Sequence, residues 1–196
     1  MKYRTYWPDT IGMQLQSQKS SGRQSTWIFD PSHTSLEFEI KKLFFFSVKA
    51  RLTVSEGSIV LDEADISRSS VVATISADSI NTGAKRRDKQ LRARGFLDAG
   101  NYPNIVFQSS SVGPGDDRDM LRVKGLLTVA GKSGPVELAV SEVDRSRSPQ
   151  GEAVIYYCAT TELDRFDFGI RSGRGVIGRS MKVTINVQAS RLEQHP

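Results

Sequence analysis

The side chains that could carry chemistry in this chain are few and scattered. His33, the pair Arg87-Asp88 and the run Asp164-Arg165-Phe166-Asp167 are the polar groups with the most suggestive spacing. The imidazole of His33 can contact a polar group of a ligand, or it can hydrogen-bond and fix a turn. Asp88 can orient the Arg87 guanidinium toward a phosphate, or the two can form a local ion pair that fixes a helix.

Common catalytic motifs are missing from the sequence. It contains no G-x-S-x-G nucleophile elbow and no P-loop, and its two histidines do not have metal-ligand spacing. The lone Cys158 has apolar neighbours, which favours an inert buried thiol over a nucleophile. We therefore predict a protein that is not an enzyme and that uses no metal or cofactor. An enzyme acting on a small apolar substrate is the alternative.

Apolar residues predict the elements that position these groups. From residue 26 onward apolar and polar residues alternate in short runs, as over 36–40, and turn signals such as Glu56-Gly57 separate the runs. About eight such strands indicate an all-β fold, and we predict an antiparallel eight-stranded barrel with one short helix over 85–94. A barrel of about eight strands is either just filled by side chains or wide enough for one small ligand.

The run Leu43-Phe44-Phe45-Phe46 departs from this alternation. Consecutive side chains of a strand point to opposite faces, so four large apolar groups cannot all point into the barrel. We expect some of them to face the barrel mouth, a packed helix or a bound apolar molecule.

The chain divides into a polar segment and one domain. Residues 1–25 are rich in Ser and Gln and predict an N-terminal extension, while 26–192 predict the barrel domain. No stretch approaches the ~18 apolar residues of a membrane-spanning helix. Because the first residues also lack the apolar core of a secretory signal, we expect a cytoplasmic location, or a periplasmic or secreted one if the start is misassigned.

The net charge of +5 is concentrated in one segment. Residues 85–94 read KRRDKQLRAR, with six basic residues and one acidic residue, whereas the rest of the chain is balanced. Such a segment attracts phosphate, nucleic acid or an anionic membrane surface, unless it is simply a solvated helix face. No aromatic residue is interleaved for base stacking, so we expect no nucleic-acid partner. Nucleic-acid binding through this segment stays an alternative, which a salt-dependent gel shift would test.

Several segments resemble motifs of the YceI-like family. The run Trp27-Ile28-Phe29-Asp30-Pro31-Ser32-His33-Thr34-Ser35 is similar to the family's opening segment, which carries Trp, Asp and His. Further similar segments follow in the same order and cover about 26–191 of the chain: 78–83, 87–91, 95–98, 102–107, 125–138 and 164–169. Two residues depart from the family pattern, since Gln90 stands where His is usual and Ala50 where Gly is common.

The resemblance implies a lipocalin-like barrel that binds or carries a polyisoprenoid or similar long amphiphilic lipid. An anionic membrane surface and a second copy of the chain are the further partners that we expect. Apolar side chains would form the pocket wall: Phe38, Ile40, Phe44, Phe45, Leu52, Ile80, Phe107, Phe166 and Phe168. Polar side chains would contact the head group of the lipid: His33, Arg87, Asp88 and Arg165.

Overall fold

Antiparallel strands form almost the whole of the structure, a computed structural model that describes residues 24–43 and 46–193. Most of the predicted N-terminal extension, up to residue 23, lies outside the described residues, as do Phe44 and Phe45. The strands are β1 (Gln24–Phe29), β2 (Ser35–Lys42), β3 (Phe46–Asp62), β4 (Ser70–Asn81), β5 (Asn104–Pro114), β6 (Met120–Val129), β7 (Lys132–Arg147), β8 (Ala153–Asp164) and β9 (Ile177–Arg191).

The sheet closes into a barrel of eight strand positions. The order around the barrel is β2-β9-β8-β7-β6-β5-β4-β3, and β3 pairs with β2 to complete the circle. Strands β1 and β2 share one position, because both pair antiparallel with β3 and with β9, at different heights. Nine strands therefore occupy eight positions, and the predicted all-β, antiparallel eight-stranded barrel is confirmed.

Strand β3 is longer than the sequence predicts. The expected turn at Glu56-Gly57 is wrong, because both residues lie inside this 17-residue strand. The pairing of β3 with β4 shifts register between Val54 and Glu56, as at a β-bulge, so the glycine marks a bend in a continuous strand. The ring of Phe29 packs directly on Gly57 and leaves no room there for a side chain.

The barrel has a mouth end and a base end, which the connections define. At the mouth end lie the β2–β3 connection, residues 82–103 between β4 and β5, the tight turn between β6 and β7, and residues 165–176 between β8 and β9. At the base end lie residues 63–69, with a short 3₁₀ helix (Ile66–Arg68), and the β5–β6 and β7–β8 turns.

Among the residues that the structure describes, one short α-helix, α1 (Lys85–Arg92), lies at the mouth end. The sequence predicts this helix over 85–94, and the structure ends it at Arg92 because the backbone of Ala93 is extended. Eight residues do not form a stable helix alone. Arg92 attaches the helix to β4 by donating hydrogen bonds to the backbone carbonyls of Asp78 and Ile80, at 2.6 and 3.0 Å.

Candidate functional site

The interior of the barrel is an apolar cavity of about 320 Å³. Alternation along the strands supplies its wall, as on β3, where Ala50, Leu52 and Val54 are buried and Arg51 and Thr53 are exposed. Small residues such as Ala50 leave space that larger side chains would fill. The barrel interior is therefore a cavity rather than a solid packed core.

Polar wall residues concentrate at the mouth end of the cavity. Lys42 from the end of β2, Thr82, Arg87 and Gln90 from the α1 region, and Arg165 from the β8–β9 connection all contribute to the wall there. The side chains of Lys42 and Gln90 are also exposed to solvent. The cavity thus reaches the surface between the end of β2 and helix α1.

Most of the apolar residues predicted for the wall lie in it. The ones that line the cavity are Phe38, Ile40, Leu52, Ile80, Phe107 and Phe168. Phe44 and Phe45 lie outside the described residues. That any of these residues contacts a ligand stays a prediction.

Phe166 does not line the cavity, although the sequence groups it with Phe168. Residues 165–169 form turns rather than a strand, so two residues apart no longer means the same face. The half-buried ring of Phe166 lies instead among the guanidinium groups of four arginines, at 4.8 to 5.9 Å from the ring centroid: Arg165, Arg171, Arg174 and Arg179. Such cation–π contacts hold the β8–β9 connection against the barrel.

Arg165 is a buried cation that organises the β8–β9 connection. Its guanidinium donates four hydrogen bonds of 2.6 to 3.1 Å to the backbone carbonyls of Ile170, Ser172, Ile177 and Gly178. Burial lowers the pKa of Arg165 below its ordinary value, and the neighbouring Asp164 offsets part of this effect. Only one of the five N–H groups of a guanidinium is left over, so Arg165 offers a ligand positive charge more than hydrogen bonds.

Thr82 links Arg87 and Asp88, which both hydrogen-bond to it. The Asp88 carboxylate accepts hydrogen bonds from the backbone N–H and the hydroxyl of Thr82, and Arg87 donates to the hydroxyl and the carbonyl oxygens of Thr82 at 2.8 and 2.9 Å. The hydroxyl hydrogen bond holds the pKa of Asp88 below its ordinary value, against the opposing effect of burial. Three N–H groups of Arg87 remain to contact a ligand.

His33 lies away from the cavity, in the turn between β1 and β2. Its side chain is 64% exposed, and its Nδ1 atom lies 2.7 Å from Oδ2 of Asp30. The hydroxyl of Ser32 and the ring of His33 lower the pKa of Asp30 to about 2, while burial opposes them. The geometry matches the turn-fixing interpretation of this histidine, and a role at the lipid head group stays an untested prediction.

Gln90, Thr82 and Lys42 are mouth residues that the sequence did not indicate as contacts. Thr82 and Gln90 fall within family-like segments, and the departure from the usual histidine at Gln90 was the available signal.

Tyr157 is a further wall residue that strand parity could have found. Its hydroxyl donates to Glu142 at 3.0 Å, and burial raises its pKa above the ordinary value.

A glycine pattern in the β8–β9 connection has a structural explanation. Gly173, Gly175 and Gly178 match G-x-G-x-x-G, but the segment leads into strand β9 instead of a helix. Dinucleotide sites place the pyrophosphate at a helix N-terminus, which this segment does not provide.

The part of the chain that the structure describes contains no cluster of three or more potential metal ligands. Within the same residues, no helix is long and apolar enough to cross a bilayer.

A closed antiparallel barrel around an apolar cavity, with polar residues at its mouth, is a lipocalin-like fold. Residues 27–189 match the model of the YceI-like domain, and the chain belongs to that family. The resemblance seen in the sequence is thereby confirmed.

Relatives and solved structures agree with this assignment. A UPF0312 protein of Vibrio cholerae is 29% identical over 163 residues, which cover 83% of this chain and 84% of the relative. Burkholderia cenocepacia BcnA has a similar structure, with a TM-score of 0.72 at 19% identity over 82% of this chain and 98% of BcnA. A polyisoprenoid-binding domain from Saccharophagus degradans, implicated in plant cell wall breakdown, has a TM-score of 0.62 at 15% identity, covering 85% and 98%.

Proposed function

We propose that this protein binds an isoprenoid-type lipid with its apolar chain in the barrel, and that it does so without catalysing a reaction. The observation that carries the proposal is the cavity of about 320 Å³, which is enclosed by apolar side chains and open at the mouth end. The name of the Saccharophagus degradans domain, which shares this fold, supports an isoprenoid as the ligand.

The size of the cavity sets the length of chain that it can hold. Pockets for small ligands span about 300–1,000 Å³, so this one is at the lower end of that range. An engineered apolar cavity of about 150 Å³ binds benzene, which scales to roughly a dozen carbon atoms here. A longer chain would therefore extend through the mouth, past Lys42 and Gln90.

Residues at the mouth favour a polar or anionic head group. Arg87 keeps three N–H groups unused within the described structure, and Lys42 and Arg165 add positive charge. A guanidinium suits phosphate oxygens because its parallel N–H groups match their geometry. The apolar wall contributes most of the burial, whereas these residues select one lipid over another.

Titration with a fluorescent isoprenoid alcohol tests the proposal. Ala50 lies opposite Phe38 in the β2–β3 pair, and both line the cavity, so Ala50→Phe fills part of the space. Displacing a few carbon atoms of the ligand is expected to weaken binding by about tenfold or more. Ala159→Leu narrows the same cavity by a smaller amount and is expected to weaken binding in proportion.

The matched control is Ala139→Phe, at an exposed position on the outer face of β7. It adds the same ring without touching the cavity and is expected to leave the dissociation constant unchanged. Circular dichroism and thermal melting would show that each variant is folded. Absence of saturable binding by the unmodified protein would contradict the proposal, and so would equal loss of affinity in the control.

A further inference from the structure

Three exposed apolar side chains form a rim at the mouth end. Leu43, Phe46 and Val176 are 47%, 66% and 43% exposed; Leu43 follows the end of β2, Phe46 begins β3, and Val176 lies in the β8–β9 connection. The two connections touch, because the N–H of Leu43 donates to the carbonyl of Val176 at 2.8 Å and Lys42 pairs with both Phe46 and Ile177. We call these three residues the apolar rim.

Exposed basic side chains lie at the same end of the barrel as the apolar rim. Arg171 and Arg174 lie in the same connection as Val176, are exposed, and have no carboxylate partner among the described residues. Arg179 differs, since it forms an ion pair with Asp164 at 2.5 Å. The exposed cations of helix α1 lie at the same end of the barrel, so two segments at this end carry exposed positive charge.

Charge at the base end has the opposite sign. Residues 62–69 and residues 115–119 each carry three acidic residues and one basic residue. At the mouth end, residues 82–103 carry six basic and two acidic residues, and residues 164–179 carry four basic and two acidic residues. The positive charge is therefore a property of one end of the barrel.

We propose that the mouth end docks on the surface of a lipid bilayer that contains anionic lipids. The apolar rim would enter the headgroup region, and the surrounding arginines and lysines would lie at the lipid phosphates. Exposed apolar side chains beside basic ones match an anionic bilayer, which offers both apolar depth and negative charge. A nucleic acid would use the charge but would leave Leu43 and Val176 without a favourable contact.

Docking in this orientation goes beyond lipid binding, because it also provides a path for the lipid between the bilayer and the barrel. The cavity opens at the same end as the apolar rim, so the opening would face the bilayer. A lipid chain could then pass between the bilayer and the barrel without exposing its CH₂ groups to water, which is unfavourable.

Flotation with vesicles tests the docking surface. The full chain would be mixed with phosphatidylcholine vesicles with or without one third phosphatidylglycerol, at about 0.1 M salt, where the screening length is about 10 Å. We expect binding to the anionic vesicles only, and its loss at high salt.

Arg171→Gln/Arg174→Gln is expected to lower partitioning by about 30-fold, because each basic side chain contributes roughly fivefold. Phe46→Ser is expected to lower it by about tenfold.

Matched controls come from elsewhere on the barrel. Val143 is 65% exposed on the base half of β7, and Arg118 is exposed in the acidic β5–β6 turn. Val143→Ser and Arg118→Gln are expected to float like the unmodified protein. The docking surface is overturned if the unmodified protein does not float, if it floats equally with both vesicles, or if rim and control variants behave alike. Titration with the fluorescent isoprenoid alcohol in detergent-free buffer is expected to be unaffected in the rim variants, which separates docking from lipid binding.

Discussion

A methyl group at residue 57 would test how the base half of the barrel is packed. In Gly57→Ala the new Cβ would lie 2.1 Å from Cδ2 of Phe29 and 2.4 Å from Cε2, whereas ordinary contacts begin at 3.4 Å. The ring or the strand must therefore move by about 1.3 Å, the difference between the two distances. Phe29 is buried in the core and lines the cavity, so relief of the contact requires its ring to leave its packed position and turn into the cavity. Such overpacking costs about 1–3 kcal/mol.

Urea unfolding measures this effect. With a slope of about 2 kcal/mol/M, a loss of about 2 kcal/mol lowers the unfolding midpoint by about 1 M. Gly100→Ala is the control, because no atom beyond its two chain neighbours lies within 4 Å of its Cβ position, and it is expected to leave the midpoint nearly unchanged. In the double variant Phe29→Leu/Gly57→Ala the loss of unfolding free energy should differ from the sum of the losses in the two single variants by about 1 kcal/mol. A Gly57→Ala midpoint equal to that of the control would refute the packing, and would fit a solvent-exposed turn instead.

Two further predictions concern polar groups. Arg165→Met removes four hydrogen bonds to backbone carbonyls. It is expected to lower the free energy of unfolding in urea by about 3 kcal/mol and to speed amide hydrogen exchange over residues 165–178. Unchanged amide exchange over these residues would contradict the role of Arg165. The pKa of Asp30 is lowered to about 2 from an ordinary value of 3.8, so its ionised form stabilises the folded state above pH 3.8, and this contribution is lost as the pH falls towards 2. Asp30→Asn should therefore be less stable than the unmodified protein at pH 7 and should approach it near pH 2; a difference independent of pH would argue against the Ser32 and His33 contacts.

The barrel could be predicted because its signal is local. Alternation such as that of Leu36, Phe38 and Ile40 fixes which side of a strand is buried, and consistent alternation over many strands indicates a closed sheet. Glu56-Gly57 was misread because a glycine at a bulge and a glycine at a turn look the same in a sequence. The distinction depends on the ring of Phe29, which lies 28 residues away and occupies the space above Gly57.

Strand geometry made several of the cavity-lining residues predictable. Phe38, Leu52 and Phe107 lie on regular strands and line the cavity as their parity requires. Phe166 follows the end of β8, where the chain turns, and no periodicity describes its direction. The indirect link between Arg87 and Asp88 through Thr82 also depends on tertiary structure, because helix α1 must fold back on the end of β4 to create it.

Native mass spectrometry tests the central claim most directly. The full chain would be purified without detergent, incubated with a mixture of isoprenoid alcohols and isoprenoid phosphates of graded length, and compared with Ala50→Phe treated in the same way. We expect the unmodified protein to carry one lipid molecule per chain, recoverable by organic extraction, and Ala50→Phe to carry much less. A spectrum that shows only the unliganded mass for both proteins, across all chain lengths and head groups, would contradict lipid binding in the barrel.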